Sequence, residues 1–342
     1  MNTLHEGPLL NSNGTLMETG RATALVKHYD RNRVKGRLLR LKEWDYYLIY
    51  NDCFGLALTI ADNAYMGLMS ASFLDFKKSF ECTASPMFWF PFGRTNLPSS
   101  SSAGNSCKAQ KGVFFSFCVE DGQRHLEVHL DRFGPDKSSF DCDLLLNEEP
   151  QDSMVIATPF AEKNTAFYYN QKIIGMRAQG SVRCLGQSYL FEPTNSFGLL
   201  DWGRGVWTYE STWYWAAGMG MLDGHLTGFS IGYGFGDDRA ASENMIFFDG
   251  KAHPFDRVQF QIPQKDGCDD FLAPWTVCST DDRFTMDFVP AFDRSACTDL
   301  KLLLSDQHQV FGYFTGYMRL NDGTILKLNN FLGFAEKVHN KW

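Results

Sequence analysis

No run of roughly 18 apolar residues interrupts this 342-residue chain, so hydropathy offers no membrane-spanning helix. The opening MNTLHEGPLLNSNG is polar and has no apolar segment of its own, and no secretory leader is expected. No Cys-x-x-Cys occurs among the nine cysteines, at 53, 82, 107, 118, 142, 184, 268, 278 and 297, and their number is odd. They read as free thiols, several of them small hydrophobes in strand-like runs. Long basic runs are missing and the net charge is -8. Without a phosphate-neutralising excess a nucleic-acid partner is excluded, and electrostatic docking on an anionic membrane has no support. The chain also lacks G-x-x-x-x-G-K-[ST], H-E-x-x-H and G-x-S-x-G, and the glycines of GYGFG alternate with no helix to follow, so neither a cofactor nor a metal is expected. The cytoplasm is the default compartment, and oligomeric state is not readable.

What the chain has instead is aromatic and β-forming. Aromatic residues make up 15% of it, with 30 Phe, 13 Tyr and 8 Trp beside 30 Gly. Helical periodicity is scarce. KEWDYYLIYNDCFGLALTIADNAYMGLMSASFLDF reads as three strands, and KGVFFSFCVEDGQRHLEVHLDRF as a hairpin turning at Asp121-Gly122. The Ser-rich RTNLPSSSSAGNSCKAQKG reads as a loop without chemistry of its own. After Trp207 the same order begins again. STWYWAAGMGML, HLTGFSIGYGFG and ENMIFFDGKAHPF follow WDYYLIYN, FGLALTIADN and MGLMSASFLDF in texture. The later pair TAFYYNQKIIGMRAQGSVRCLGQSYLFEP and HQVFGYFTGYMRLNDGTILKLNNFLG match around expected polar turns at Gln179-Gly180 and Asp322-Gly323. Such a repeat predicts two like all-β domains, residues 1–207 and 208–342, each an antiparallel barrel or strongly curled sheet packed on the other. Closure would remove exposed edges and leave room for one small ligand.

Each half ends on a similar triplet. DWGRGVW carries Asp201, Arg204 and Trp207; EKVHNKW carries Glu336, His339 and Trp342. Asp201 and Arg204 read either as a buried pair or as ligand-binding groups. Glu336 and His339 share a face if they lie on a helical turn, and then form an acid–base pair. In STWYWAAG, strand alternation sets Trp213 and Trp215 on one face, with Thr212 and Tyr214 on the other. The catalytic candidates are Asp201, Glu336 and His339. Arg204, Trp207, Trp213, Tyr214, Trp215 and Trp342 are the candidate ligand-binding residues. His125, Glu127 and His129 on one strand face read as a polar outer surface, with metal ligation as the alternative. Asp237, Asp238, Arg239, Glu243 and Asn244 fall in what reads as a turn between strands.

LALTIADNAYMG, DWGRGVWTYESTWYWAAG, FFDGKAHPFDRVQF and the ending GYFTGYMRLNDGTILKLNNFLGFAEKVHNKW together resemble the DUF2804 family, from about residue 10 to 342. That family is distantly similar to the two-domain lipocalin-like group of carotenoid 1,2-hydratase, AttH-type proteins and fungal Diels–Alderases. The resemblance implies two tandem lipocalin-like (calycin-type) barrels with an apolar ligand between or inside them. In the hydratase an acid protonates an isoprenoid double bond and water adds to the cation, and its acidic residues do not transfer onto Asp201 or Glu336. The leading expectation is binding of a hydrophobic small molecule, lipid, isoprenoid or polyketide-like. The alternatives are cofactor-independent hydration, isomerisation or cyclisation with Asp201 or Glu336 as the acid, and a structural protein without a ligand.

Overall fold

The computed structural model describes residues 2–147, 149–299 and 303–341. Trp342, expected to bind ligand, lies outside them. The chain is predominantly β-sheet, and no helix among the described residues is long and apolar enough to cross a membrane. Two large antiparallel sheets dominate. The first, of 14 strands, is built on β1 (Leu41–Tyr50), β2 (Phe54–Asp62), β3 (Met66–Asp75), β4 (Phe80–Ala84), β5 (Gly104–Gln110), β6 (Val113–Glu120), β7 (Gln123–Phe133), β8 (Ser138–Asn147), β9 (Met154–Phe160), β10 (Lys163–Cys184) and β11 (Phe197–Val206). Its order is β4-β3-β2-β1-β11-β10-β8-β7-β6-β5, with β9 beside β10. The second, of 9 strands, comprises β12 (Glu210–Leu222), β13 (His225–Tyr233), β14 (Met245–Phe248), β15 (Lys251–Pro254), β16 (Val258–Gln261), β17 (Trp275–Ser279), β18 (Phe284–Asp299), β19 (Leu304–Arg319) and β20 (Ile325–Lys341). Its order is β15-β14-β13-β12-β20-β19-β18-β17-β16.

The two orders repeat one another. In each sheet three meandering strands lead off, and the closing strand, β11 or β20, returns to lie against the first of them, β1 or β12. The first sheet is strongly curled. Ser106 on its far strand β5 donates to the Asp45 carboxylate on β1, and the Tyr47 and Phe117 rings, on β1 and β6, meet edge to face at 5.1 Å.

Central strands here must satisfy two cores at once. All ten residues of β11 are buried. Period-two alternation sends Trp202, Arg204 and Val206 into the curl, with Asp201, Gly203 and Gly205 toward the second sheet. β1 divides in the same way: Glu43, Asp45 and Tyr47 point into the curl, while Trp44, Tyr46 and Tyr50 face outward. Tyr50 fastens the sheets together, its hydroxyl accepting from Met219 N at 2.7 Å and donating to the carbonyls of Met219 and Leu332. The second sheet keeps its other face for a separate core around Phe229, Trp275, Phe284 and Phe314.

Two local expectations change. The turn expected at Gln179-Gly180 does not form: β10 runs through to Cys184, with Gly180 wedged against β8 so closely that a Cβ would meet the Asp143 carbonyl at 2.2 Å. The stretch expected as a Ser-rich loop is a loop only as far as Ala103, since Gly104–Gln110 forms β5. The loop part has a structural task, because its carbonyls are held by arginines. Arg31 donates to Leu97 O, Arg204 to Pro98 O and Arg124 to Ser101 O, which fixes the loop over the mouth of the curled sheet. The Asp121-Gly122 hairpin forms as expected, and all nine cysteines are free.

The closing strand β20 is central, hydrogen-bonded to both β12 and β19 along its last residues. Deleting residues 336–342 strips two ladders and orphans donors on both neighbours, at a cost on the order of 5 kcal/mol or more. Thermal melting of the truncated chain should show loss of the cooperative transition. A melting temperature within a few degrees of the full chain's would contradict a central role for this strand.

Candidate functional site

Where the outward faces of β1, β10 and β11 meet the second sheet, a charged cluster is buried. Lys172, on β10, is 1% exposed. Its ammonium donates to Asp201 Oδ1 at 2.9 Å, lies 3.5 Å from Glu243 Oε1 and sits 4.0 Å from the Trp215 ring. Asp201 takes further hydrogen bonds from Trp44 Nε1 at 3.0 Å and Asn170 Nδ2 at 2.6 Å. Glu243, in the 234–244 connection, accepts from the Tyr168 hydroxyl at 3.2 Å through Oε1, while its buried Oε2 has no hydrogen-bond partner. Glu336, on β20, accepts from Trp213 Nε1 and Gln309 Nε2, each at 3.0 Å.

Three carboxyls and one ammonium share a space shielded from water, so the charges cannot all persist. Burial works to lower the Lys172 pKa, but Asp201 and Glu243 outweigh it and the net shift is upward. Burial pushes the Glu243 carboxyl up to about 7, against the pull of Lys172 and with a push from Asp201. Burial also takes Glu336 to about 7, although the Trp213 and Gln309 hydrogen bonds oppose it. Tyr168 is raised well above its usual range by burial and by Glu243. One ion pair, Lys172 with Asp201, thus leaves two acids that hold protons up to neutral pH.

Aromatic rings wall the cluster. Trp207 meets Trp44, Tyr168 and Trp213 at 5.8, 5.4 and 5.2 Å, and Phe235 stacks on Tyr168 at 5.2 Å. Beyond Phe235 opens a cleft of about 700 Å³ between the end of β9 and the 234–244 connection, rimmed by Phe160, Glu162, Thr212, Gly234, Gly236 and Arg257 among others.

The duplicated triplets acquire a geometric meaning. Asp201 and Glu336 occupy equivalent positions on the closing strands. Asp201 is opposite Tyr46 and Lys172; Glu336 is opposite Trp215 and Gln309. The indole two residues before Tyr46, Trp44, bonds Asp201, and the indole two residues before Trp215, Trp213, bonds Glu336. Gln309 stands where the first copy has Lys172, so Glu336 receives an amide instead of a counter-charge.

The remaining candidates lie elsewhere. Asp201 and Arg204 lie on β11 and Glu336 and His339 on β20, strands on which residues three apart face opposite ways. Arg204 therefore points into the first sheet, pairing with Asp45 at 2.9 Å and donating to the carbonyls of Trp44, Gly203 and Pro98. His339 leaves Glu336 for the opposite face, where Nδ1 lies 2.7 Å from Thr212 Oγ1 and Nε2 lies 3.5 Å from Glu210. No helical turn joins it to Glu336. Tyr214 stacks on Tyr233 at 4.7 Å, on the second sheet's own core side. Trp207, Trp213 and Trp215 do reach the cluster. Lys172, Asn170 and Tyr168 join the cluster from YYNQKII, which places them on one face at every second position. Glu243 was visible only as a turn residue.

On the outer surface, His125 and His129 form separate pairs across β8, with Asp143 at 2.9 Å and Asp141 at 2.7 Å. Ligand atoms of His125, Glu127 and Asp143 lie within 4.8 Å of one another, the one group among the described residues spaced to hold a metal ion. All three sit at the solvent-facing surface, far from the inter-sheet cluster in the strand order.

The chain belongs to the DUF2804 family, described as a domain of unknown function and matched over residues 1–342. No curated protein matches it. Among solved structures it is similar to a protein of Nitrosomonas europaea given the name AttH, at 10% identity and a TM-score of 0.55, covering 94% of this chain and 98% of that one. It also aligns with kievitone hydratase of Nectria haematococca, at 9% identity and a TM-score of 0.47, over 99% of this chain and 97% of that one. The first likeness extends to the fold.

Glu243 and Glu336 hold their protons more tightly folded than unfolded. Their contribution to stability is therefore full below pH 4.5, the ordinary glutamate value, and is lost as pH rises through about 7. The change is on the order of 3 kcal/mol per carboxyl. Melting curves across this window should fall more steeply for the wild type than for Glu243→Gln or Glu336→Gln. Parallel curves would show that these groups ionise normally.

Proposed function

We propose that this DUF2804 protein is a cofactor-independent enzyme that carries out proton-assisted isomerisation, cyclisation or hydration of a largely apolar small molecule, with Glu243 as the acid. The supporting observation is the free Oε2 of a carboxyl buried among rings. Oε1 is already engaged by Tyr168, and a proton on Oε2 has no acceptor within the protein. Glu336 is less suited, because both its oxygens accept hydrogen bonds that a proton would displace. Asp201 holds Lys172, and Lys172 stabilises the carboxylate that Glu243 becomes. In the forward step the Oε2–H bond breaks and a C–H bond forms on the substrate. Isomerisation or cyclisation returns a proton to Glu243 from a neighbouring carbon, whereas in hydration the added water supplies it. The rings of Trp213 and Tyr168 attract positive charge developing on carbon, the Trp215 face being taken by the Lys172 ammonium.

The simpler reading, binding without turnover, rests on the cleft, whose largely polar lining includes the rings of Phe160 and Tyr233. Under either reading the finer architecture is a pair of lipocalin-like barrels divided near Trp207. A Tyr233–Phe260 ring contact at 5.8 Å, between β13 and β16, supports a roll in the second sheet as well.

The test is turnover of a panel of unsaturated lipids, isoprenoids and polyketide-like compounds. Glu243→Gln should lower kcat by about 100-fold or more, and Glu336→Gln by less. His339→Ala, facing away, should change it no more than a few-fold. Undiminished kcat in Glu243→Gln would remove it as the acid, and saturable tryptophan quenching without turnover would favour binding alone.

A further inference from the structure

Between the cleft and the charged cluster stands one side chain. Phe235 is buried, with its ring parallel to Tyr168 within 18°, 5.9 Å from Trp213 and 5.6 Å from the Lys172 ammonium. The residues on either side of it, Gly234 and Gly236, line the cleft. The backbone of 234–236 thus forms the cleft floor, and the phenyl ring hangs below it into the site. Both glycines have positive φ, +92° and +85°. A Cβ at Gly234 would meet Thr212 O at 2.3 Å, and one at Gly236 would meet Pro159 O at 2.6 Å. The segment is therefore a tight double bend that only glycine allows.

It is tied to the end of β9 at two points and braced within itself by Asp238. Thr158 Oγ1 donates to the Phe235 carbonyl at 2.5 Å, Asp237 N donates to Pro159 O at 2.8 Å, and Gly234 N donates to Asp238. Behind the ring, the unpartnered Oε2 of Glu243 lies 3.4 Å from where a Gly232 side chain would begin, and that same missing side chain would touch Phe235 at 3.2 Å. The tightest contact of that Cβ would be the Tyr214 carbonyl at 2.5 Å, so glycine is required by the neighbouring strand. The phenyl ring and the carboxyl oxygen both flank the same point.

We propose that the slot filled by Phe235 is the binding position for a flat unsaturated group, an aromatic or conjugated ring, of the molecule this site takes, reached from the cleft when residues 234–238 swing outward. This deepens the acid-site reading and rests on it for the identity of the reacting group. The phenyl ring occupies the slot in place of the ligand. A stacking face on Tyr168 and a cation at the ring face select a planar π system over a saturated chain. A ring in that place lies against the open Oε2 of Glu243.

The test uses the full-length protein, with naphthol and its saturated counterpart decalol as probes and tryptophan fluorescence as the signal. The wild type should bind naphthol saturably and decalol at least about tenfold more weakly. Phe235→Trp, whose larger side chain keeps the slot filled, should lose naphthol binding, and Phe235→Ala should tighten it. Hydrogen exchange of the unmodified protein supplies a measurement free of folding effects. Amides 234–239 should exchange faster than those of β13 and slow on addition of naphthol. Equal affinity for the two probes, unchanged naphthol binding in Phe235→Trp, or a segment protected as well as β13 would each overturn the proposal. None of these readouts depends on turnover, so the slot stands or falls separately from Glu243 as an acid.

Discussion

An ammonium group 1% exposed between two sheets survives as a cation only where the protein replaces its water shell. Lys172 meets that condition with parts drawn from four places. Asp201 comes from the closing strand of the first sheet, Glu243 from a connection in the second, and the ring faces of Trp215 and Phe235 from the second sheet and its cleft floor. Of these, Asp201 cannot shift without leaving the ammonium buried and without its direct counter-charge. The net worth of such a pair against an apolar replacement is small, but it admits few alternative arrangements. The aromatic burial around it supplies the adhesion, while the Lys172–Asp201 pair lies within the first sheet and meets the second through Glu243 and the Trp215 ring.

Satisfying Lys172 with Asp201 leaves Glu243 and Glu336 with no full counter-charge, and burial answers by keeping them protonated toward neutral pH. The two are not equivalent acids. Glu336 is bonded through both oxygens to an indole and an amide, an arrangement that holds the carboxyl in place. Glu243 is bonded through one, and its other oxygen faces the space below the cleft floor. Two carboxyls with similar pKa values therefore differ in what they can do, because proton transfer needs an oxygen that is free as well as an acid of suitable strength.

Much of this architecture was legible in the chain. Period-two alternation marked β7 and β12, the repeat of element order appeared as a repeat of sheet order, and Trp213 and Trp215 share a face as the pattern STWYWAAG required. The site was harder to see because the triplets were read with a spacing of three, which groups residues on a helix but divides them on a strand. Arg204 and His339 were drawn in by that spacing and turned away by strand geometry. Lys172 escaped notice because it lies in a strand whose two faces are both buried. There a polar residue at every second position looks like an irregularity in an apolar run, when it marks the face that meets the other sheet. Glu243 belongs to a connection whose conformation depends on glycines and on contacts with Thr158 and Pro159, and no local pattern announces a fold-back of that kind.

The two carboxyls are held by one arrangement used twice. Two indoles, Trp44 and Trp213, hold two carboxyls, Asp201 and Glu336, by the same bond from the same relative position. The strand on the other side then supplies Lys172 to one and Gln309 to the other. Had both positions carried lysine, two ammonium groups would share the interface and both carboxyls would be committed as counter-ions. Had both carried glutamine, Asp201 and Glu336 would each be held only by neutral donors, and the interface would contain no cation to stabilise a carboxylate formed at Glu243. The asymmetric pair leaves one permanent charge pair and a surplus of protons beside it. The matching sheet order thus accounts for the equivalent placement of the two carboxyls, and lysine against glutamine at the facing position accounts for their different partners.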